Sequence, residues 1–406
     1  MKKLGTPLAL SLVLAFMGFI LVTAGWSTNA SWQPDSYFYS GAAANIVEGH
    51  GVSFVDKKSG ELMPLTHYPP LTSLAVAFFS KFAFLSIPSA FMTLNALSLA
   101  LIAFVFAYQA INASNQTRLG LFFATTGCLS IVLSKHLLEA FQFQQSEPLF
   151  LLLVVLQCSV IYAYMQSYKI WLLVLSSILA GFAFLTRYVG AYLIISTSLL
   201  FLISRHKPLV VRIRDIFIYG AIFSISFFGW FLRNYLLTGS LHTHKMTEGA
   251  VERTFAGINE ITYFILPGSL PFGIRIFALV CFILFCSWVL ISTPYKSQTQ
   301  KITLQSVYTS SAITYLLFQI CMCFVIKTRL NTRTLLPFIL LIFMGYIIAL
   351  CSRSKPDSNC FKEPAKKLVV LMLSGFVTLS FVRAVEHTYN DKTTFPNRQI
   401  EQDQGK

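Results

Sequence analysis

The chain has 406 residues, 55% of them hydrophobic and 12% charged, with 31 Lys and Arg against 16 Asp and Glu for a formal net charge of +15. A soluble domain carries roughly 25% charged residues, so this composition, with a mean hydropathy of +0.66, excludes an ordinary globular surface. The basic residues lie largely in short loops between apolar runs, as the positive-inside bias requires. Neither zinc-finger spacing nor a separate basic domain points to nucleic acid.

The apolar runs are of a length that spans the roughly 30 Å hydrocarbon core as helix. A backbone in lipid must satisfy its own hydrogen bonds, so the spans are helices or a closed barrel. A barrel needs alternating segments of about ten residues, and the runs here are continuous. The expected fold class is therefore all-α: a polytopic membrane protein with about eleven spanning helices, residues 1–406 forming a single domain.

In chain order, Met1-Lys2-Lys3 precedes an apolar stretch from Pro7 to Trp26, read as an uncleaved first helix with a cytoplasmic N-terminus. Residues 27–87 form the first large outer loop. It contains an amphipathic helix over about 36–48, a Gly-rich turn at 49–51, and a second apolar helix after Pro69 and Pro70. That helix carries Lys81 and is expected to lie along the interface rather than across the membrane. Spans are expected at about 88–108, 120–138, 147–165, 170–186, 189–204, 216–232, 272–292, 303–326, 334–351 and 368–383. The segment 205–215, with Arg205, Lys207, Arg212 and Arg214, reads as a cytoplasmic loop, and 384–406 as a short polar tail. Paired helix interruptions in two halves, the mark of many transporters, are not seen.

Most Cys residues fall inside apolar segments, so no structural disulfide is expected, and the Cys321/Cys323 pair reads as packing. Of the acidic residues, only Asp215, Asp357 and Glu363 fall on the expected inner side. Carboxylates contribute little to orientation, so their concentration outside points to chemistry on the outer face.

Several outer positions carry that chemistry. Asp35, in PDSYFY directly after the first helix, suits a helix N-cap. A carboxylate at a helix start beside aromatic rings equally suits a general base acting on a hydroxyl. Glu147, in QSEPLF, begins a spanning helix. There it complements the helix dipole, and an ionisable group so near hydrocarbon is also a functional candidate. His67 and Tyr68, in THYPPL, precede two prolines that hold the chain extended. Arg187, Arg233, Arg329 and Arg333 lie at outer helix ends. Each either snorkels to lipid headgroups or binds a phosphate in bidentate fashion. His242, His244, Glu248 and Glu252 have spacing that a metal accepts, but read better as a solvated helix-turn. No cofactor is indicated.

PDSYFY, NIVEGHG, YPPL, SEPLF, LTRY and RNYLLTGS occur in this order over about residues 7–340. In this the chain resembles the GT-C superfamily of membrane glycosyltransferases, and more closely the bacterial relatives of protein O-mannosyltransferase and of the lipid A aminoarabinose transferase. The resemblance implies transfer of a sugar from a polyprenyl-phosphate carrier to a lipid, glycan or protein acceptor, outside a bacterial cytoplasmic membrane. It implies that Asp35 is the catalytic base and that Glu147 orients the acceptor or the Asp35 loop. It makes Arg333, then Arg233, the ligand of the carrier phosphate. Two departures stand out: Asp35 is followed by Ser36 where many protein mannosyltransferases have a second acid, and His67-Tyr68 stand where the aminoarabinose branch often has a charged residue. A transporter or lipid flippase, an inactive relative, and an O-antigen ligase or polymerase are the competing readings. The transporter is the nearest of them.

Overall fold

The computed structural model describes residues 5–26, 34–57, 59–114, 116–204, 207–239, 302–325 and 332–353. The expected spans at 272–292 and 368–383, the tail, Arg329 and the His242–Glu252 cluster lie outside the described residues. The described chain forms two compact units. The first holds the residues up to Met63 and those from Ser73 to Pro148; the second holds Pro64–Thr72 and the residues from Leu149 onward.

In the first unit, helix α1 (Gly5–Gly25) contains no charged residue. At 1.5 Å per residue its 21 residues reach about 31 Å, enough to cross a bilayer. It packs on α4 (Ile87–Ala113), where Gly18 lies directly against Leu99. Helix α4 starts at an N-cap, Ser86, whose hydroxyl accepts from the Ser89 amide, and has Pro in its first turn. Between these two spans come α2 (Pro34–Val47), a two-stranded hairpin of β1 (Ser53–Val55) and β2 (Leu62–Pro64), and α3 (Leu71–Ala83).

The hairpin was not expected from the sequence. Its turn closes with the Asp56 amide donating to Glu61 O at 2.8 Å and the Gly60 amide to Asp56 O at 2.8 Å. Gly60 has φ +72°, a conformation an L side chain resists. Helix α3, at 13 residues, is too short to span. It exposes Leu74, Phe78 and Phe82 while burying Val76 and Ala77, a pattern that fits the interfacial reading.

The expected span at 120–138 is instead two helices, α5 (Arg118–Val132) and α6 (Lys135–Gln142), bent by 48°. The physical reason lies in α6. Lys135 and His136 both approach Glu139, at 3.6 and 3.7 Å, on one face, while Leu137, Leu138 and Phe141 are buried on the other. A face so charged does not continue straight into lipid.

In the second unit the helices are α7 (Glu147–Ser167, whose first two residues belong to the first unit), α8 (Ile170–Thr186), a 3-10 turn (Tyr188–Ala191), α9 (Tyr192–Ile203), α10 (Leu209–Thr238), α11 (Leu304–Val325) and α12 (Thr332–Arg353). Helix α10 is longer than the span expected at 216–232. It begins right after Pro208, so most of the basic stretch read as a loop is helical, and it ends at Gly239, whose φ is +66°. Gln157 ties four helices together: its Nε2 lies 3.0 Å from Thr197 Oγ1, 3.1 Å from the Tyr219 hydroxyl and 3.2 Å from Ser176 Oγ. At the N-terminal end of α10, buried Asp215 accepts from Tyr164 Oη (2.5 Å), Lys207 Nζ (2.8 Å) and Arg214 Nη2 (2.9 Å). Removing a buried charge from hydrocarbon contact in this way is the condition for keeping it there.

Among the described residues, α1, α4, α7, α10 and α12 are long and apolar enough to cross a membrane, and a sixth span follows if the bent pair α5–α6 is counted as one. The chain is a multi-pass, all-α membrane protein. The expected number, eleven, includes spans outside the described residues.

Candidate active site

The first unit builds a polar seam around the start of α2. Pro34 occupies the first helical position and Asp35 lies in the first turn, so Asp35 sits inside the helix and is not its cap. Its side chain is partly exposed, whereas Ser36 and Tyr39 are buried. Positions 35 and 39 share a helix face. One turn beyond Asp35, the Tyr39 hydroxyl donates to Ser146 Oγ at 3.1 Å, and Ser40 Oγ donates to Gln144 Oε1 at 2.7 Å. Ser73 of α3 adds a bond to the Tyr39 carbonyl at 3.0 Å.

The segment Gln144-Gln145-Ser146 leads directly into Glu147, the first residue of α7, which is 2% exposed. The other side of the segment is pinned by Asn95 of α4, whose Nδ2 donates to Phe141 O (3.0 Å) and Phe143 O (2.8 Å). Thus the helix that carries Asp35 and the segment that leads into Glu147, more than a hundred positions apart in the sequence, are joined by one hydrogen-bonded seam. Neither the Gln144 and Ser146 contacts nor the Asn95 clamp was anticipated. A Gln-Gln-Ser run just before an apolar helix was the available signal.

The opposite face of α2 is covered by the hairpin. Tyr37 Oη donates to Val55 O at 2.5 Å, Lys57 Nζ lies 4.4 Å from the Tyr37 ring centroid, and Phe38 meets Phe54 edge-on at 5.0 Å. Asn45 Nδ2 holds Ser53 O at 2.9 Å across the turn formed by Gly49 (φ +89°) and Gly51 (φ +72°). This turn is the Gly-rich one expected from the sequence.

In the second unit a different group of predicted residues comes together around the strap 65–70. His67 and Tyr68 are half-buried, and Leu65, Thr66, Pro69 and Pro70 are buried. Arg233 of α10 donates through Nη1 to Leu65 O at 2.7 Å and to Asn234 Oδ1 at 3.0 Å, and its guanidinium lies over the Trp230 ring at 4.8 Å. Tyr188 donates to Thr66 O at 3.0 Å and accepts from Trp230 Nε1 at 3.0 Å. Arg187, half-buried, is the extended residue that ends α8 just before Tyr188.

The LTRY and RNYLLTGS motifs therefore converge on the strap that carries His67 and Tyr68. Arg233, expected to contact phosphate, spends at least one nitrogen on holding this strap. Arg333 sits elsewhere in the unit, half-buried in the first turn of α12. The residue after it, Thr334, accepts from the Tyr315 hydroxyl at 2.6 Å.

No family model matches the chain, and no curated protein matches it. Among solved structures it is similar to ArnT from Cupriavidus metallidurans in the apo state, at 13% identity and a TM-score of 0.42, over 84% of this chain and 76% of that one. It is likewise similar to ArnT from the same organism bound to undecaprenyl phosphate, at 13% identity and a TM-score of 0.40, with the same coverage.

Proposed function

We propose that this chain is a membrane glycosyltransferase that moves a sugar from a polyprenyl-phosphate carrier to an acceptor hydroxyl at the outer face of a bacterial cytoplasmic membrane, with inversion. The observation that carries the reading is the seam joining the Asp35 helix to the Glu147 segment through Tyr39–Ser146 and Ser40–Gln144. Its support from the sequence is the ordered set of motifs that resembles the GT-C superfamily.

Asp35 is the base. It takes the proton of the acceptor hydroxyl as that oxygen attacks the anomeric carbon. The anomeric C–O bond to the carrier breaks, and the electron pair leaves with the polyprenyl phosphate. The leaving group is already a good one, so no strong general acid is needed. Arg333 neutralises the phosphate charge as it develops, an interaction strengthened by the low dielectric of the membrane rim. Glu147 positions the acceptor or the start of α2. Arg233 and Tyr188 fix the strap that carries His67 and Tyr68, which we assign to substrate binding. Arg187 is a second cation for the carrier phosphate.

The competing reading is a transporter or flippase. It draws on the buried polar groups within helices, Gln157 and Asp215 above all. Mass spectrometry of envelope glycans and glycolipids, with and without the gene, separates the two. Loss of one sugar residue, reproduced by Asp35→Asn at normal protein level, is expected. An unchanged glycan profile together with a lost transport phenotype overturns the transferase.

A further inference from the structure

The seam holds a buried polar side chain between the two that bond to α2. Gln145 is 1% exposed, and both its side-chain oxygen and its side-chain nitrogen are shielded from solvent with no hydrogen-bond partner among the described residues. A carboxamide offers two donors and an acceptor with two lone pairs. Leaving all of them unmade inside a protein is unfavourable, and native structures rarely tolerate it.

The position is not loose. The residue before it accepts from Ser40, the residue after it accepts from Tyr39, and its own backbone N–H donates to Phe143 O at 2.9 Å. Asn95, which clamps the same segment by its nitrogen, also has a buried Oδ1 without a partner among the described residues. The neighbours of Gln145 are thus anchored in both directions while its own amide is left open, two residues ahead of Glu147.

We propose that Gln145 is a specificity-determining residue whose amide recognises a neutral sugar hydroxyl, donating one hydrogen bond and accepting another. This rests on the transferase reading. A hydroxyl both donates and accepts and so matches a carboxamide, whereas a phosphate has no proton to give the Gln145 oxygen and is better met by Arg. The hydroxyl belongs either to the transferred sugar or to a glycan acceptor.

The test uses the full chain purified in detergent, with Gln145→Met as the shape-matched apolar variant and Gln145→Leu as a second. Without substrate, the thermal midpoint of at least one variant is expected to equal or exceed the parental one, because two unsatisfied buried atoms are removed. If both are clearly less stable, the amide has a structural partner and the inference falls.

Transfer is then measured with undecaprenyl-phosphate hexoses and their 2-, 3-, 4- and 6-deoxy forms, using envelope extract as acceptor. A site built to bond a hydroxyl discriminates strongly against its absence, so the parental chain is expected to lose at least about a hundredfold in kcat/KM on one deoxy donor. The variant should lose a similar factor on the full sugar and show almost no further loss on that deoxy sugar. If donor discrimination is instead unchanged while the acceptor KM rises about tenfold or more, the hydroxyl is the acceptor's. A variant that alters neither overturns the inference alone. A parental chain that transfers no sugar from any of these donors overturns the transferase reading, and this inference with it.

Discussion

The Tyr39 hydroxyl reaches Ser146 Oγ at 3.1 Å, joining residues 107 positions apart and fastening the helix that begins with Asp35 to the segment that begins α7 with Glu147. Tyr39 is 4% exposed and Ser146 1%, so water does not compete for the bond. Tyr39→Phe keeps the ring and removes only the donor. It is expected to destabilise the chain by about 0.5–1.5 kcal/mol, seen as a small drop in thermal midpoint. If Asp35 is the base proposed above, a larger relative loss in transfer rate should accompany it, because the Asp35 helix and the Glu147 segment are no longer held in one frame. Loss of stability with an unchanged rate would detach the bond from catalysis.

Asp35→Asn separates base from scaffold. Because Asp35 lies in the first turn, the amide keeps the shape of the side chain and gives up the interaction of its negative charge with the helix dipole, about 0.3–1 kcal/mol. Folding and expression should survive. Loss of a general base lowers the rate on the order of a hundred- to ten-thousandfold. A variant made at parental level that still transfers sugar at near the parental rate removes Asp35 from the mechanism.

Arg233 and Arg333 are expected to fail in different ways. Arg233→Met leaves the buried Leu65 carbonyl without its 2.7 Å donor, which destabilises by about 1–3 kcal/mol. Hydrogen exchange in the strap should quicken first. Arg333→Ala should act first on donor use. Its apparent donor affinity should fall about ten- to a hundredfold, the worth of a charge-assisted contact of about 1.5–3 kcal/mol. An Arg333 variant with parental donor affinity marks that residue as one that only snorkels.

Orientation is checked by labelling. Lys57, near the tip of the hairpin, and Pro208, ahead of α10, are both exposed. In a chain whose exposed Cys321 has been replaced by Ser, Lys57→Cys should react with a membrane-impermeant thiol reagent added outside, and Pro208→Cys should not. The reverse pattern would invert the topology and put Asp35 on the cytoplasmic side.

The membrane class, the approximate positions of most described spans and the short apolar helix α3 after Pro70 were legible in the sequence. The reason is that lipid imposes a one-dimensional constraint: a run of apolar residues of sufficient length has few alternatives to a spanning helix. Asp35 and Glu147 stood out for a related reason, since carboxylates at apolar helix starts are conspicuous in so uncharged a chain.

Other features depended on contacts between distant residues. Composition alone did not reveal that 120–138 breaks, because that bend depends on which face of α6 is buried. The sequence offered Arg233 as a phosphate ligand and gave no sign that Leu65, 168 positions away, takes one of its nitrogens. Nothing in the sequence singles out Gln145; it stands out only because its two neighbours are bonded to α2. Hydropathy reads how much apolar surface a segment has and along which period. Hydrogen-bond partners are set by packing in three dimensions, and for Arg233, Tyr39 and Gln145 only the tertiary structure decided them.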